Sequence, residues 1–191
     1  IVCDGTRVPG LGNIGPEGAL PVMEGKSVLF KALGDINAIP LCINTQDKEE
    51  IIRFVKIIQP NFGAINIEDI ESPKVLEIVE RLSKEASIPI FHDDQHGTAI
   101  ITLAALLNAL KLVKKELEKV RVVISGSGSA GYGIFKILQT AGCKDIIVTD
   151  TKGAIYDGRV DINDRNPYKK EISINTNIRK LSGTLQDVIS E

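Results

Sequence analysis

Cysteine and net charge are scarce in this 191-residue chain, and each scarcity argues against a class of protein. Cys3, Cys42 and Cys143 are an odd, widely spaced set without a C-x-x-C motif, which argues against a zinc site and a disulfide framework. Such thiols are typical of a reducing compartment, so we expect a cytoplasmic protein. The formal net charge of −2 would attract neither nucleic acid nor an anionic membrane surface, and we expect neither as a partner.

Long hydrophobic runs are also missing. The run over residues 98–113 is shorter than the roughly 20 apolar residues of a membrane span, and it contains Asn108 and Lys111. We interpret it as a buried core helix. No signal or transit peptide is visible, and because the sequence starts without Met and both ends read as internal segments, we expect a fragment of a longer protein.

Short runs rich in Ile and Val alternate with helical patterns, which predicts an α/β fold with a parallel sheet covered by helices. Helical spacing indicates a helix over residues 47–58, and Ser72 and Pro73 mark the next as its N-cap and first helical residue. A third helix follows a glycine turn and ends at Gly142. The predicted strands cover residues 40–44, 63–67, 88–91, 120–125 and 145–150.

The two ends of the chain differ from this alternating pattern. Residues 1–40 are rich in glycine, which predicts a loop whose backbone approaches something closely; a flexible surface loop is the alternative. Residues 152–177 are polar and rich in turn formers, so we expect a hairpin or an excursion after the last strand.

The run VRVVISGSGSAGYG contains a G-x-G-x-x-G motif after an apolar strand and before an amphipathic helix. The first glycine allows a tight turn, the second lets the backbone approach a pyrophosphate, and the third lets helix and strand pack closely. The N–H groups at the helix N-terminus favour the anion. We predict that a dinucleotide is bound by Gly126, Ser127, Gly128, Ser129, Ala130, Gly131 and Asp150.

Asp150 ends the strand that follows the motif, and it bears on which dinucleotide is bound. Its carboxylate can accept hydrogen bonds from ribose hydroxyls and repels a 2′-phosphate, which favours NAD over NADP. Lys152 weakens this preference, so NADP is kept as an alternative. A glycine turn without a nucleotide is the other interpretation.

Two pairs of acidic residues, Glu68–Asp69 and Asp93–Asp94, end neighbouring predicted strands. Ligand sites in open α/β sheets form outside the carboxyl ends of the strands, so both pairs point negative charge into one crevice. Successive residues face opposite ways, so only some of the four carboxylates can converge. Carboxylates without cysteine suit Mg²⁺ or Mn²⁺ rather than Zn²⁺. Solvated loop acids, or Asp94 as a helix N-cap, are the alternatives.

Lys26 lies where the glycine-rich region gives way to an apolar helix. Because nearby carboxylates and burial shift the pKa of a lysine in opposite directions, its pKa can be adjusted for proton transfer. A surface lysine is the alternative. We assign no catalytic role to His92 or His96, since a histidine at a strand end is more often a hydrogen-bonded core residue.

Four runs together resemble the malic enzyme family: VCDGTRVPGLGNIGPEGALPVMEGKSVLFK, FGAINIEDI, FHDDQHGTAI and GSGSAG. They cover nearly the whole chain in the order of the family, and are most similar to its compact bacterial and archaeal members. The resemblance implies oxidative decarboxylation of L-malate to pyruvate and CO₂, with reduction of NAD(P)⁺, by a homodimer that depends on Mg²⁺ or Mn²⁺.

The resemblance also implies roles for individual residues and domains. Residues 1–97 would bind substrate and metal, and residues 98–191 would be the first part of a Rossmann domain for NAD(P). Arg7 would bind the substrate, which suits a guanidinium because it can hold a carboxylate by two hydrogen bonds. The implied metal ligands are Glu68, Asp69 and Asp94, and the implied catalytic residues are Lys26 and, beside it, Asp93.

Two features of the family have no counterpart in the sequence. Its general-acid tyrosine lies well upstream of the DGTR run, where none of Tyr132, Tyr156 and Tyr168 is placed, and its later substrate-binding asparagines would follow Glu191. We therefore expect an incomplete active site. A nucleotide-binding module without catalysis is one alternative. Another alternative is a dehydrogenase that acts on amino acids or folates. The two acidic pairs argue against it, because those reactions need no metal.

Overall fold

The computed structural model describes residues 1–190, and the chain divides into two compact units, Ile1–Asp93 and Asp94–Glu191. Unit 1 contains a four-stranded sheet and unit 2 a three-stranded sheet, and helices accompany both. The predicted α/β class, with a parallel sheet followed by part of a dinucleotide-binding fold, is confirmed.

All four strands of unit 1 are parallel. The strands are β1 (Val2–Cys3), β2 (Leu41–Cys42), β3 (Ile65–Glu68) and β4 (Ile90–His92), and their order in the sheet is β2-β1-β3-β4. Cys3 pairs with Glu68, and Ile67 pairs with His92. The carboxyl ends of β1, β3 and β4 therefore meet at one edge of the sheet, where Asp4, Asp69 and Asp93 follow the strands.

Three helices cover this sheet: α1 (Gly15–Gly34), α2 (Lys48–Ile58) and α3 (Lys74–Glu85). The α1 helix contacts β1 and β2, α3 contacts β4, and α2 contacts α3. Asp47 caps α2, because its carboxylate accepts hydrogen bonds from the backbone N–H groups of Glu49 at 2.7 Å and Glu50 at 3.1 Å. Apolar residues at helical spacing face the core, among them Ile51, Val55, Val75, Ile78 and Leu82.

The loop predicted for residues 1–40 is wrong over half of that range, because residues 15–34 form α1. Proline at the start of α1 and an apolar stripe containing the buried Ala19 and Met23 outweigh the low helix propensity of its glycines. The close approach lies earlier in the chain. A side chain at Gly5, whose φ is +70°, would place its Cβ 2.2 Å from the carbonyl oxygen of Gly15.

The start of α3 also differs from the prediction. The helix begins at Lys74, and neither Ser72 nor Pro73 caps it with a side chain. The backbone N–H of Val75 donates to the carbonyl of Glu71 at 3.0 Å, so the backbone closes the first turn without the hydroxyl of Ser72.

Unit 2 has two parallel strands and a short antiparallel one. Its strands are β5 (Arg121–Ser125), β6 (Asp145–Asp150) and β7 (Gly153–Ala154), in the order β5-β6-β7. Its helices are α4 (Thr98–Leu112), α5 (Ser129–Thr140), α6 (Pro167–Asn175) and α7 (Leu185–Ser190). The strand–turn–helix–strand order from β5 to β6 is that of a dinucleotide-binding half-fold. Within residues 152–177, for which a hairpin or an excursion was predicted, β7 pairs antiparallel with the preceding strand β6, and the remainder includes the helix α6, which the prediction lacked.

The interpretation of residues 98–113 as a buried core helix is wrong for this unit. Only Ala99 and Leu110 of α4 are buried, while Ile101 and Leu112 are exposed. The helix packs chiefly against α5, so most of its apolar surface meets no other element of the unit. No helix within residues 1–190 is long and apolar enough to cross a membrane.

Candidate functional site

An ion-pair cluster lies at the carboxyl edge of the sheet in unit 1. The ammonium group of Lys26, on α1, contacts the carboxylates of Glu68 and Asp93; its Nζ lies 2.7 Å from Oδ2 of Asp93. Glu68 is only 3% exposed, and a buried carboxylate is costly unless a cation compensates it. Lys26 supplies that compensation, so the structure brings together three of the residues predicted for the site.

Asp69 and Arg7 meet at the same edge through their backbones. The N–H of Arg7 donates to the carbonyl oxygen of Asp69 at 3.0 Å, and the side chain of Arg7 is exposed. Asp69 is 4% exposed and has a φ of +50°, which is unusual for a residue other than glycine. The left-handed turn at Asp69 ends β3 and redirects the chain immediately after Glu68.

Asp94 belongs to unit 2 and lies in a π-helical turn, Asp93–Gly97, ahead of α4. The α4 helix has no side-chain capping hydrogen bond, so the interpretation of Asp94 as its N-cap is wrong. Among residues 1–190, no three histidine, cysteine, aspartate or glutamate side chains stand together as a ready metal site. The predicted ligand set of Glu68, Asp69 and Asp94 therefore remains a prediction.

His92 lies where a core interpretation expects it, whereas His96 is only partly buried. His92 is fully buried, and its Nδ1 lies 3.0 Å from the carbonyl oxygen of Ile67 on the neighbouring strand. Burial lowers the pKa of His96, which follows in the π-helical turn.

The glycine turn of unit 2 has the conformations that a dinucleotide-binding turn requires. Gly126 has a φ of +108°, and its N–H donates to the carbonyl of Thr149 at 3.0 Å. A Cβ at Gly131 would lie 1.9 Å from the carbonyl oxygen of Gly126, so only glycine allows α5 to lie this close to the turn. A Cβ at Gly128, the N-cap of α5, would meet nothing within 4 Å. The backbone at Gly128 is thus open to a ligand.

Asp150 ends β6, and all of the acceptor positions of its carboxylate are in use. Oδ1 accepts from the N–H of Lys152 at 2.8 Å and from Nη1 of Arg159 at 3.0 Å. Oδ2 accepts from Nη2 of Arg159 at 2.5 Å and from Nζ of Lys169 at 2.8 Å. A carboxylate has about four lone-pair positions, so any further donor must displace one of these.

The charges around Asp150 shift its acidity. Burial by itself raises the pKa of the Asp150 carboxyl, but the hydrogen bonds from Arg159 and Lys169 outweigh it and hold that pKa well below its usual range. The hydrogen bonds to Asp150 in turn raise the pKa of the Arg159 guanidinium. Asp150 therefore stays ionised, with its charge matched by the two cations.

Sequence reasoning missed several residues that support these positions. Asp4 and Thr6 sit in the DGTR run, and their D-G-T pattern is a signal for a side-chain turn. Arg159 and Lys169 carry no such signal, because the loop that holds Arg159 and the helix α6 that holds Lys169 are placed beside Asp150 by tertiary structure.

Comparison with known proteins places both units in one family. The sequence model described as "Malic enzyme, N-terminal domain" matches residues 1–53, and that described as "Malic enzyme, NAD binding domain" matches residues 95–191. The second match alone covers more than half of the chain. This chain belongs to the malic enzyme family.

Relatives within the malic enzyme family are similar over nearly the whole chain. The chain is 52% identical over 189 residues to a bifunctional malic/malolactic enzyme of Bacillus subtilis, covering 99% of this chain and 46% of that protein. It is 53% identical over 190 residues to an NAD-dependent malic enzyme of Geobacillus stearothermophilus, covering 100% and 39%. The chain thus spans less than half the length of these two relatives.

Solved structures of malic enzymes have the same fold. A crystal structure of an NAD-dependent malic enzyme from Thermotoga maritima superposes with a TM-score of 0.93 at 51% identity, covering 97% of this chain and 49% of that one. A malic enzyme from Pyrococcus horikoshii superposes with a TM-score of 0.91 at 42% identity, covering 100% and 45%.

Proposed function

We propose that this chain is the central part of an enzyme that oxidises and decarboxylates L-malate to pyruvate and CO₂ while reducing NAD(P)⁺. The observation that carries the proposal is the Lys26 ammonium group held between the carboxylates of Glu68 and Asp93. This cluster lies in a chain of the malic enzyme family, whose second unit contains the turn predicted to bind a dinucleotide. Residues 1–97 would serve substrate and metal, and residues 98–191 the dinucleotide.

Lys26 would take the proton of the malate hydroxyl as the hydride leaves C2. A lysine acts as a base only after it has given up its own proton, and the Asp93 carboxylate, 2.7 Å away, is placed to accept that proton. Asp93 is half exposed, so the proton has a route to water. Glu68 keeps Lys26 in place, since its buried carboxylate has the Lys26 ammonium as its counter-charge.

The proposed metal ligands fit a hard divalent cation in kind. Glu68 and Asp69 offer buried carboxylates at the end of β3, and such oxygens are the ligands that Mg²⁺ and Mn²⁺ prefer. Asp94 is included as the third ligand because the resemblance to the family implies it. When bound, Mg²⁺ or Mn²⁺ supplies a Lewis acid that stabilises the charge developing on the substrate as CO₂ leaves.

Arg7 would orient malate through a carboxylate. Its exposed guanidinium can form two parallel hydrogen bonds with a carboxylate, while its backbone is fixed to the carbonyl of Asp69. Malate would thus be held beside the proposed metal ligand Asp69 by an arginine whose backbone N–H is bonded to the carbonyl of that residue.

NAD or NADP would bind at the turn formed by Gly126, Ser127, Gly128, Ser129, Ala130 and Gly131. The pyrophosphate would meet the N-terminus of α5 over the open backbone of Gly128. Ribose hydroxyls would compete with Lys169 or the Lys152 N–H for Asp150. Because Arg159 and Lys169 offset the repulsion between Asp150 and a 2′-phosphate, the site supports NADP as well as NAD.

A cytoplasmic homodimer is the proposed working state. Three free cysteines suit a reducing compartment. Apolar side chains on α1, such as Val28, Leu29 and Leu33, are exposed in the single chain, as expected of a surface covered by a partner. Sedimentation analysis of the purified protein distinguishes a dimer from a monomer.

The activity test uses the family-length protein, meaning this chain with the flanking sequence that brings it to the length of its relatives. Malate-dependent formation of reduced nicotinamide and of pyruvate, in the presence of Mn²⁺, is expected for the wild type. Lys26→Met should lower the rate at least about 100-fold, since a general base commonly contributes that much. Lys31→Met is the matched control, because Lys31 lies on the same helix in an exposed pair with Asp35. A wild type that produces neither product would contradict the proposal.

A further inference from the structure

A buried aspartate lies at the same sheet edge as the candidate site of unit 1. Asp4 is 1% exposed and follows β1 directly. Its Oδ2 accepts a hydrogen bond from Nζ of Lys74 at 2.8 Å, so a cation at the start of α3 compensates its charge. Lys74 also donates to the carbonyl of Gln46 at 3.1 Å. One buried ion pair therefore joins the segments that follow β1, β2 and β3.

Thr6 extends this pair to the loop after β3. Its hydroxyl donates to Oδ1 of Asp4 at 2.6 Å and accepts from the backbone N–H of Glu71 at 2.9 Å. The N–H of Thr6 also donates to Oδ1 of Asp4, at 3.0 Å. Thr6 is 4% exposed, so water cannot readily replace these bonds. The hydroxyl is thus the link between two loops 65 residues apart in sequence.

A second link between the same loops lies one residue further on. The N–H of Arg7 donates to the carbonyl of Asp69, two residues before Glu71. Asp69 holds a left-handed backbone conformation, which persists only where surrounding contacts fix it. The Thr6–Glu71 and Arg7–Asp69 bonds therefore fix the two loops together at neighbouring points.

We infer that Thr6 is a positioning residue, whose hydroxyl holds Arg7 and Asp69 in the relative placement needed to bind malate and metal. The inference rests on the proposed function, in which Arg7 binds malate and Asp69 binds the metal. The Thr6 hydroxyl acts through the buried carboxylate of Asp4 on one side and the N–H of Glu71 on the other.

Thr6→Val and Thr6→Ser test the inference, because valine keeps the shape but removes the hydroxyl, whereas serine keeps the hydroxyl. The first readout is amide hydrogen exchange of Arg7 and Glu71 in the metal-free, family-length protein. Thr6→Val should speed exchange at both amides by about tenfold or more, as expected for losing a hydrogen bond to a charged group. Thr6→Ser should restore wild-type exchange.

The second readout is steady-state kinetics of the same protein. Thr6→Val should raise KM for malate about tenfold and leave KM for the dinucleotide within about twofold, and serine should restore the malate value. KM does not depend on the amount of active enzyme, so partial unfolding alone would not change it. Thr184→Val is the matched control. In unit 2, the Thr184 hydroxyl also donates to a carboxylate, Oδ2 of Asp187 at 2.8 Å, and accepts a backbone N–H, that of Asp187 at 3.3 Å.

The positioning role would be overturned if Thr6→Val left the exchange rate of the Arg7 amide or the KM for malate unchanged. It would also be overturned if Thr6→Ser failed to restore the wild-type exchange rate or KM. Thr6→Ala serves as a second variant if Thr6→Val does not fold, with the same expectations. Unfolding of both while Thr6→Ser folds would overturn positioning in favour of a purely structural role. A wild type inactive toward malate would instead overturn the proposed function, and the exchange measurement would still decide the coupling, because it needs neither malate nor metal.

Discussion

The Nζ atom of Lys26 lies 2.7 Å from Oδ2 of Asp93, and the same ammonium group contacts the buried carboxylate of Glu68. Glu68 is the last residue of β3 and Asp93 directly follows the neighbouring parallel strand β4, whereas the lysine comes from the middle of α1. The two acidic partners differ in exposure, since Glu68 is buried and Asp93 is half exposed. Glu68 is therefore suited to anchoring the lysine, and Asp93 to exchanging protons with it.

Replacing the proton-accepting partner should slow the reaction. Asp93→Asn keeps the shape of the side chain but cannot accept the Lys26 proton, so kcat for malate oxidation should fall by about 100-fold. KM for the dinucleotide should not change. Asp35→Asn makes the same substitution in the exposed Lys31–Asp35 pair of α1 and should leave kcat unchanged. A wild-type kcat in Asp93→Asn would rule out the proposed proton transfer.

Two glycines of the turn should respond differently to the same change. In Gly131→Ala the new Cβ would lie 1.9 Å from the carbonyl oxygen of Gly126, so the protein should lose about 2 kcal/mol of unfolding free energy. In Gly128→Ala the Cβ meets no protein atom, and stability should be unchanged. Urea unfolding measures both. Equal stability of the two variants would show that α5 and the turn are not packed as described.

Gly128→Ala carries a separate prediction for binding. Its methyl group would stand on the open backbone that the pyrophosphate is proposed to approach, so the affinity for NADH should fall about tenfold while the fold is intact. Fluorescence titration with NADH measures the affinity. Unaltered affinity would place the pyrophosphate elsewhere.

Elements that depend on a local sequence pattern could be predicted from the sequence alone. The strand predicted for residues 145–150 is observed as Asp145–Asp150, because a buried parallel strand is a short apolar run that can be recognised alone. The glycine turn was equally accessible, since the strand, glycines and helix follow one another directly. The helix over residues 15–34 was not, because its four glycines and two prolines are typical of a loop.

The contacts that organise the candidate site could not be predicted from local sequence patterns. Thr6 and Glu71 are 65 residues apart, and their hydrogen bond exists only because β1 and β3 are neighbours in the sheet. Lys169 donates to Asp150 from α6, a helix that was not predicted because its segment is polar and rich in turn formers. Such pairings follow from topology, and residue spacing along the chain does not encode them.

The Arg159–Asp150 pair should make stability depend on pH. The folded pKa of Asp150 lies below 3.8, the value of the free side chain. Its stabilising contribution is therefore complete above that value and is lost as the pH falls through the folded pKa. Arg159→Met should lower the unfolding free energy by about 3 kcal/mol at neutral pH, because it removes one partner of a buried pair.

The difference in unfolding free energy between Arg159→Met and the wild type should shrink below about pH 4, where the Asp150 carboxyl of the unfolded chain becomes protonated. Urea unfolding across this range measures it. Arg179→Met is the control, since Arg179 forms an exposed pair with Asp145 and should change stability by less than about 0.5 kcal/mol. A loss in Arg159→Met that persists undiminished in acid would show that the pair is not its source.

Lys169 should influence the choice between NAD and NADP. Its Nζ occupies an acceptor position of Asp150 that a ribose hydroxyl would need, and its charge favours a 2′-phosphate. Lys169→Met frees one acceptor position of Oδ2, which still accepts from Arg159, and removes one cation. The ratio of kcat/KM for NADP⁺ to that for NAD⁺ should therefore fall about tenfold. The neighbouring Lys170, paired with Asp164 at the surface, supplies the control Lys170→Met, which should not change the ratio. An unchanged ratio in Lys169→Met would mean that the ribose binds away from Asp150. The choice between NAD and NADP would then depend on residues other than Asp150, Arg159 and Lys169.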